Sequence, residues 1–242
     1  MPHLTRRTML GSLAGAVASP APAKEPLRVL FIGNSFTFEH DLPNLFADIV
    51  RQTGQDIHVD MIAQGGAHLA DYLESASVRE IYDAYRPDLI VLQDYSTVAL
   101  GDATALRSHQ AIKAFCELWP YASRLLFVTW PRREGHSLYS QPNMPKSPAE
   151  MSRLTAEHYK GATDCGFWER NNVRVAPVGH AWILGTGLAL HRSDGYHASL
   201  TGAWLSALVL ARTMGLSPNK PVAPDGVKVP ARLHQIARMV AP

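Results

Sequence analysis

Short apolar runs alternate with longer segments of mixed polarity along the chain. Runs of five to seven apolar, often β-branched residues that are bounded by turn-forming residues are typical of buried strands. The alternation predicts five strands, which cover residues 28–32, 56–62, 88–92, 124–130 and 173–178.

The segments between these runs place apolar residues with the spacing of amphipathic helices. Candidate helices cover residues 42–53, 67–84, 103–118, 149–164 and 200–214. A helix that joins two parallel strands makes a right-handed crossover, so successive helices cover both faces of the sheet. We therefore expect an α/β fold of three layers around a five-stranded parallel sheet.

The first 23 residues have the pattern of an export signal. Arg6 and Arg7 precede a modestly apolar stretch over residues 9–18, and an Ala-Pro-Ala sequence ends at Ala23. This pattern predicts a twin-arginine signal peptide and a periplasmic or secreted protein. The apolar stretch is too short for a hydrocarbon core of roughly 30 Å, so we expect no stable membrane insertion after cleavage.

The rest of the chain, residues 24–242, has the size and composition of one domain. The 242 residues are 46% hydrophobic and 18% charged, which suits one large core. Residues 131–148 contain four prolines and predict a long loop, of the kind that often shapes a substrate site. Residues 216–242 predict a C-terminal extension with a short helix over residues 231–239, packed on the body.

Charge and cysteine content narrow the function classes. Without residues 1–23 the 23 basic residues become 21, which balance 21 acidic ones, and no basic block suggests a nucleic-acid partner. Cys116 and Cys165 could form a disulfide or remain two buried thiols. Neither they nor the histidines have metal-ligand spacing, so we expect no metal and no cofactor.

The first predicted strand ends in the sequence Gly33-Asn34-Ser35. In an open parallel sheet, ligands bind at the carboxyl ends of the strands. Gly33 allows a sharp turn there, and a serine in such a turn lies near backbone N–H groups that can stabilise an oxyanion. Ser35 could also be an ordinary turn or helix-capping serine, which is the more common role of a serine after a strand, so this tripeptide alone leaves both interpretations open.

Asp194 and His197 supply what a nucleophilic serine needs. A serine hydroxyl attacks only when a base accepts its proton and a third group orients that base. The three-residue spacing lets the carboxylate reach Nδ1 of the histidine while Nε2 faces the serine. An isolated pair of this kind would indicate a turn, but together with Ser35 it predicts a Ser–His–Asp triad.

The sequences GNS at residues 33–35, AQGGAHL at 63–69 and DGYH at 194–197 resemble the motif blocks of the SGNH (GDSL-type) hydrolase superfamily. The resemblance spans nearly the whole chain after the signal region. It implies a flavodoxin-like three-layer fold and ester hydrolysis, with Ser35 as nucleophile, His197 as general base and Asp194 as its orienting partner. It also implies that the N–H groups of Ser35 and Gly66 form the oxyanion hole, with Gly65 as the alternative to Gly66.

The third motif block departs from this family. The family usually has G-x-N-D, whose asparagine donates to the oxyanion, whereas this chain has DLIVLQDYSTV at residues 88–98. Gln93 carries the same amide on a longer arm and is the candidate replacement, but it could also be a structural amide. Ser96 would serve only if the loop is longer than expected.

The sequence thus predicts an exported serine hydrolase that cleaves carboxylic esters of a small molecule or polysaccharide through an acyl-enzyme. Short-chain or O-acetyl esters of a carbohydrate are the expected substrates. Alternatives are a lipid- or thioester-directed esterase, a weakly active or inactive binding protein with this fold, and a flavin binder, although no phosphate-binding glycine loop supports the last. Candidates for the pocket walls are His40, His68, Tyr95, Trp130, His180 and Trp182.

Overall fold

The computed structural model describes residues 25–73, 75, 78, 80–81, 84–163, 173–225 and 229–241. The predicted signal peptide at residues 1–23 and Cys165 lie outside these residues. Cys116 is buried, and burial raises the pKa of its thiol to about 12.

All five predicted strands are present and parallel. They pair in the spatial order β2-β1-β3-β4-β5, which confirms the three-layer α/β class. The strand order reverses beside β1, and in open α/β sheets ligands bind at such a point. The predictions for the last two strands ran two to three residues too far. The strands are β1 (Leu27–Gly33), β2 (Ile57–Ala63), β3 (Leu89–Leu92), β4 (Ser123–Phe127) and β5 (Val173–Ala176).

Eight α-helices can be defined within the described residues. Two short ones, directly after β1 and β5, were not predicted, and the predicted helix over residues 67–84 is wrong as one element because its first part ends in a turn at Leu73. The helices are α1 (Ser35–Phe38), α2 (Leu42–Arg51), α3 (Leu69–Tyr72), α4 (Asp102–Leu118), α5 (Pro148–Thr163), α6 (Val178–Leu184), α7 (Leu200–Thr213) and α8 (Ala231–Val240). No helix in the described ranges has the length and apolar character needed to cross a bilayer.

Two apolar clusters cover the two faces of the sheet. Alternate residues of β1 divide between them, because successive side chains of a strand point to opposite faces. Val29 and Phe31 pack with α2, α7 and α8, whereas Leu30 and Ile32 pack with α4 and the end of α5. The C-terminal extension therefore adds its helix to one of these two layers.

Candidate active site

The turn after β1 leaves no room for a side chain at Gly33. A Cβ atom there would lie 2.3 Å from Oγ1 of Thr37 and 2.6 Å from Oε1 of Gln93. The next residue, Asn34, caps α1, since its Oδ1 accepts from the Phe36 N–H at 3.1 Å. The chain therefore turns tightly and places Ser35 at the start of α1, at the carboxyl edge of the sheet.

Ser35, His197 and Asp194 form one line of hydrogen bonds. Oγ of Ser35 lies 3.0 Å from Nε2 of His197. Nδ1 of the same ring lies 2.9 Å from Oδ2 of Asp194. The three predicted triad residues thus come together across 162 residues of sequence with the geometry of an activated serine.

Hydrogen bonds keep Asp194 ionised. Burial raises the pKa of its carboxyl, but donors to the carboxylate outweigh that effect and lower the pKa to about 2. The N–H groups of Tyr196 and His197 donate to Oδ1 at 2.9 and 3.0 Å, and Nδ1 of His197 donates to Oδ2. An ionised Asp194 holds the imidazole proton on Nδ1, which leaves Nε2 to accept the proton of Ser35.

The loop that carries His197 is held on both sides. Within it, the Arg192 N–H donates to the His197 carbonyl at 2.9 Å, and Gly195 takes φ +78° at the turn. The loop then leads into α7, where Ser199 caps the helix through the Gly202 N–H at 3.1 Å. A Cβ atom at Gly202 would lie 2.2 Å from the Leu190 carbonyl oxygen, so glycine allows this close approach.

The backbone of the second motif lines the same cleft as Ser35. The cleft has a volume of about 350 Å³, and Ser35, Gly65 and Gly66 are among its lining residues. Gly66 has φ +76°, a conformation that favours glycine. Within the described part of the chain, neither the Ser35 nor the Gly66 N–H donates a hydrogen bond, so both can serve an oxyanion.

Gln93, the candidate third donor to the oxyanion, is not among the residues that line the described cleft. Its side chain is buried, with the residue 1% exposed, and is absent from the described cleft lining. Oε1 accepts from the Asn34 N–H at 2.9 Å and from Oγ1 of Thr37 at 2.8 Å. Nε2 donates to the carbonyl of Asp94. Because Gln93 is buried outside the described cleft lining and both its Oε1 and its Nε2 are bonded to neighbouring turns, the geometry supports the structural interpretation of this amide.

Two charged groups of the cleft were not predicted from the sequence. Glu39 lies four residues after Ser35, and its Oε1 is 3.7 Å from Nε2 of His197. Arg132, 7% exposed, donates from Nη2 to Oγ of Ser96 at 3.0 Å. Burial lowers the pKa of this guanidinium. Glu39 follows Ser35 by four residues, a spacing that brings two side chains to the same side of a helical turn. The short helix α1 was not predicted, so this spacing could not be used.

Among the aromatic and histidine candidates for the cleft wall, Tyr95 is a lining residue. Trp130 is buried behind the cleft and stacks on Phe36 with ring centres 4.5 Å apart. Trp182 lines a neighbouring, largely apolar cavity of about 550 Å³, to which the start of the predicted loop 131–148 also contributes. The described lining of the cleft does not include His40, His68 or His180.

We found no cluster of three potential metal-ligating side chains within the described residues. No family sequence model matches the chain, and no curated protein matches it in sequence. Its class therefore follows from the fold, the site geometry and solved structures.

The fold and the residues at its carboxyl edge define the class: the chain has the fold of the SGNH (GDSL-type) hydrolase superfamily, and similar solved structures support this assignment. A candidate SGNH hydrolase from Slackia heliotrinireducens is 28% identical, with a TM-score of 0.67 over 79% of this chain and 100% of its own. An acetyl xylan esterase from Geobacillus stearothermophilus (16% identity, TM-score 0.59, 79% and 95% coverage) shares the fold. So does a candidate GDSL-like lipase from Parabacteroides merdae (15%, 0.59, 80% and 98%).

Proposed function

We propose that the chain is an exported serine hydrolase that cleaves carboxylic esters through an acyl-enzyme. The observation that carries the proposal is the contact of 3.0 Å between Oγ of Ser35 and Nε2 of His197, beside a cleft that also contains the Ser35 and Gly66 backbone. Asp194 holds the other ring nitrogen at 2.9 Å. A poor nucleophile, its base and an orienting carboxylate are thus aligned.

In the first half-reaction, Oγ of Ser35 attacks the ester carbonyl carbon as Nε2 of His197 accepts the hydroxyl proton. Asp194 stabilises the resulting imidazolium, and the N–H groups of Ser35 and Gly66 hold the negative oxygen of the tetrahedral intermediate. The C–O bond to the leaving group then breaks, and the imidazolium gives its proton to the leaving alcohol.

In the second half-reaction, water attacks the acyl carbon while His197 accepts one of its protons. The tetrahedral intermediate collapses by breaking the bond to Oγ of Ser35. The proton on Nε2 returns to that oxygen, which releases the carboxylic acid and restores the enzyme. No redox partner or cofactor is needed for this sequence.

Short acyl esters, and O-acetyl esters of carbohydrates in particular, are the substrates that we propose. A cleft of about 350 Å³ suits a small acyl group, and polar or charged residues at its edge, such as Glu39, suit a hydroxylated leaving group. The fold shared with an acetyl xylan esterase supports this choice by analogy.

Labelling with a fluorophosphonate probe tests the hydrolase proposal directly, because such probes react with an activated serine. We expect folded wild-type protein to be labelled and Ser35→Ala to remain unlabelled. Ser137→Ala, which removes an exposed serine outside the described cleft lining, should be labelled like the wild type. Equal labelling of Ser35→Ala, or no labelling of folded wild type, would favour the inactive binding protein instead.

Export is proposed separately, from the twin arginines at the start of the sequence. Replacing both by lysine, Arg6→Lys with Arg7→Lys, should retain the protein in the cytoplasm of a host with twin-arginine transport. Fractionation of cells that express the full chain measures this. An unchanged distribution would refute twin-arginine export and leave the hydrolase proposal untouched.

A further inference from the structure

The hydroxyl of Ser96 lies in the cleft with one hydrogen-bonding role already fixed. Nη2 of Arg132 is 3.0 Å from Oγ of Ser96, and a guanidinium can only donate. Ser96 therefore accepts this bond, and its own O–H is free to donate elsewhere. Within the described chain, no side chain or carbonyl accepts from it.

Arg132 is an unusual neighbour for such a hydroxyl. No described carboxylate forms an ion pair with it, and its buried Nη1 has no hydrogen-bond partner in the described ranges. The guanidinium instead packs over the rings of Tyr196 and Phe36, at 4.8 and 5.6 Å from their centres. A cation held in low-dielectric surroundings polarises the hydroxyl that it bonds and strengthens that hydroxyl as a donor.

The two backbone donors described for the oxyanion leave the position of a third donor unassigned. Two backbone N–H groups, of Ser35 and Gly66, line the cleft, whereas the amide of Gln93 is bonded inside its own turn. Ser96 is 3% exposed and lines the same cleft as the nucleophile and Gly66. It follows Gln93 by three residues, at the carboxyl end of β3.

We propose that Ser96 donates the third hydrogen bond to the oxyanion and that Arg132 acts as its positioning residue. This inference rests on the proposed hydrolase function. The Ser96 proton stays on its oxygen throughout, so the pair stabilises negative charge without taking part in proton transfer. A hydroxyl oriented by a buried guanidinium thereby takes the place of the asparagine amide that the third motif lacks.

Steady-state kinetics with p-nitrophenyl acetate test Ser96 itself. Ser96→Ala should lower kcat by about 10²–10³-fold, the loss typical of removing one oxyanion donor, with KM nearly unchanged. Ser96→Cys keeps the shape with a weaker donor and should also lose kcat, which covers the case in which the alanine variant does not fold. Ser108→Ala, which removes a buried hydroxyl in α4, is the matched control and should keep wild-type kcat.

A double-mutant comparison tests Arg132. Arg132→Gln should lower kcat on its own, by roughly 10-fold, but add little to Ser96→Ala, because the two residues act as one unit. Arg132→Lys, which keeps a cationic donor, should recover part of the loss. Additive effects of Arg132→Gln and Ser96→Ala would overturn the positioning role.

An anionic ester, mono-p-nitrophenyl succinate, tests whether the guanidinium of Arg132 instead binds a substrate anion. The proposal expects the loss of kcat in Arg132→Gln to be equal for the neutral and the anionic ester. An effect confined to KM of the anionic ester would show that Arg132 binds a substrate anion and would overturn the inference.

If wild-type protein neither turns over esters nor reacts at Ser35, the hydrolase function itself fails. Wild-type kcat in both Ser96→Ala and Ser96→Cys would refute the third donor alone.

Discussion

Oε1 of Glu39 lies 3.7 Å from Nε2 of His197, the nitrogen that also faces Oγ of Ser35 at 3.0 Å. Both oxygens of Glu39 accept from Nη1 of Arg192 at 3.1 Å, which holds the carboxylate in place. Asp194 bonds the opposite side of the ring. When His197 carries the serine proton, its imidazolium therefore has a carboxylate beside each nitrogen.

Neutralising Glu39 should slow the reaction, because one of these two carboxylates then no longer stabilises the imidazolium. We expect Glu39→Gln to lower kcat about two- to fivefold, since ion pairs partly exposed to water contribute up to about 1 kcal/mol. The loss should shrink as salt is added. Asp48→Asn, which removes the partner of Arg51 on α2, is the control and should keep wild-type kcat. Equal rates for Glu39→Gln and wild type at low salt would contradict this role.

Gln93 should matter for stability, since three buried groups depend on it. In Gln93→Met the Asn34 N–H, the Thr37 hydroxyl and the Asp94 carbonyl lose their partner. We expect the free energy of unfolding to fall by at least ~2 kcal/mol, because each buried polar group left unpaired costs about 1–3 kcal/mol. Urea unfolding measures this change. The exposed Gln141→Met should change stability little, and an equally small change for Gln93→Met would refute the structural role.

Gly33→Ala should disrupt the nucleophile turn through overlap. Its methyl group would lie 2.3 Å from Oγ1 of Thr37, so the turn must shift. We expect the free energy of unfolding to fall by ~1–3 kcal/mol and fluorophosphonate labelling to be lost. The helical Gly161→Ala makes an ordinary contact of 3.5 Å with His109 and should be neutral or slightly stabilising. Wild-type labelling in Gly33→Ala would show that the turn tolerates a side chain.

A small cleft predicts a preference for short acyl chains. With p-nitrophenyl esters of increasing chain length, kcat/KM should be highest for the acetate and fall for longer chains. Ser35→Ala measured with the same esters gives the background rate. Fastest turnover of long-chain esters would refute the preference and point to the adjacent apolar cavity of about 550 Å³ as an acyl site. Acetylated xylan and acetylated peptidoglycan, assayed for released acetate, test the carbohydrate class.

His158 should make the fold sensitive to acid. Burial, and to a smaller extent the nearby His109, lowers the pKa of His158 to about 4 from its ordinary 6.5. The unfolded chain therefore binds this proton more readily than the folded one, and stability that is full above pH 6.5 is lost as the pH falls toward 4. The difference amounts to ~3 kcal/mol. His158→Gln should flatten the fall of unfolding free energy across this window, measured by urea unfolding at several pH values. An unchanged slope would contradict it.

The elements of this fold could be predicted more reliably than the side-chain directions in its loops. The strands were predictable because apolar residues on both faces of a central sheet form continuous runs, as in β3. The predicted helix 67–84 failed because no glycine or proline in the sequence marks the break after Tyr72. Gln93 was placed at the correct edge of the sheet, but its amide turned inward toward Asn34 and Thr37. The direction of this side chain depends on neighbours in the turn after another strand.

The charged groups of the cleft show the same limit over longer distances. Arg192 and Glu39 meet across 153 residues, and Arg132 and Ser96 across 36. The hydrophobic pattern contains no signal for either contact, because both join loops whose paths are set by tertiary packing. The triad could be predicted because the three-residue spacing of Asp194 and His197 complements Ser35, and because the motifs around these residues resemble those of a known superfamily.

Asn34 links the two backbone elements proposed to hold the oxyanion. Its Oδ1 fixes the turn of Ser35 through the Phe36 N–H at 3.1 Å, and its Nδ2 donates at 3.0 Å to the carbonyl of Ala67, directly after Gly66. Water molecules must reorient around a developing negative charge. The backbone N–H dipoles fixed by Asn34 are instead aligned before any ester binds. A single buried side-chain amide thus preorganises the N–H groups at this edge of the sheet for the proposed transition state.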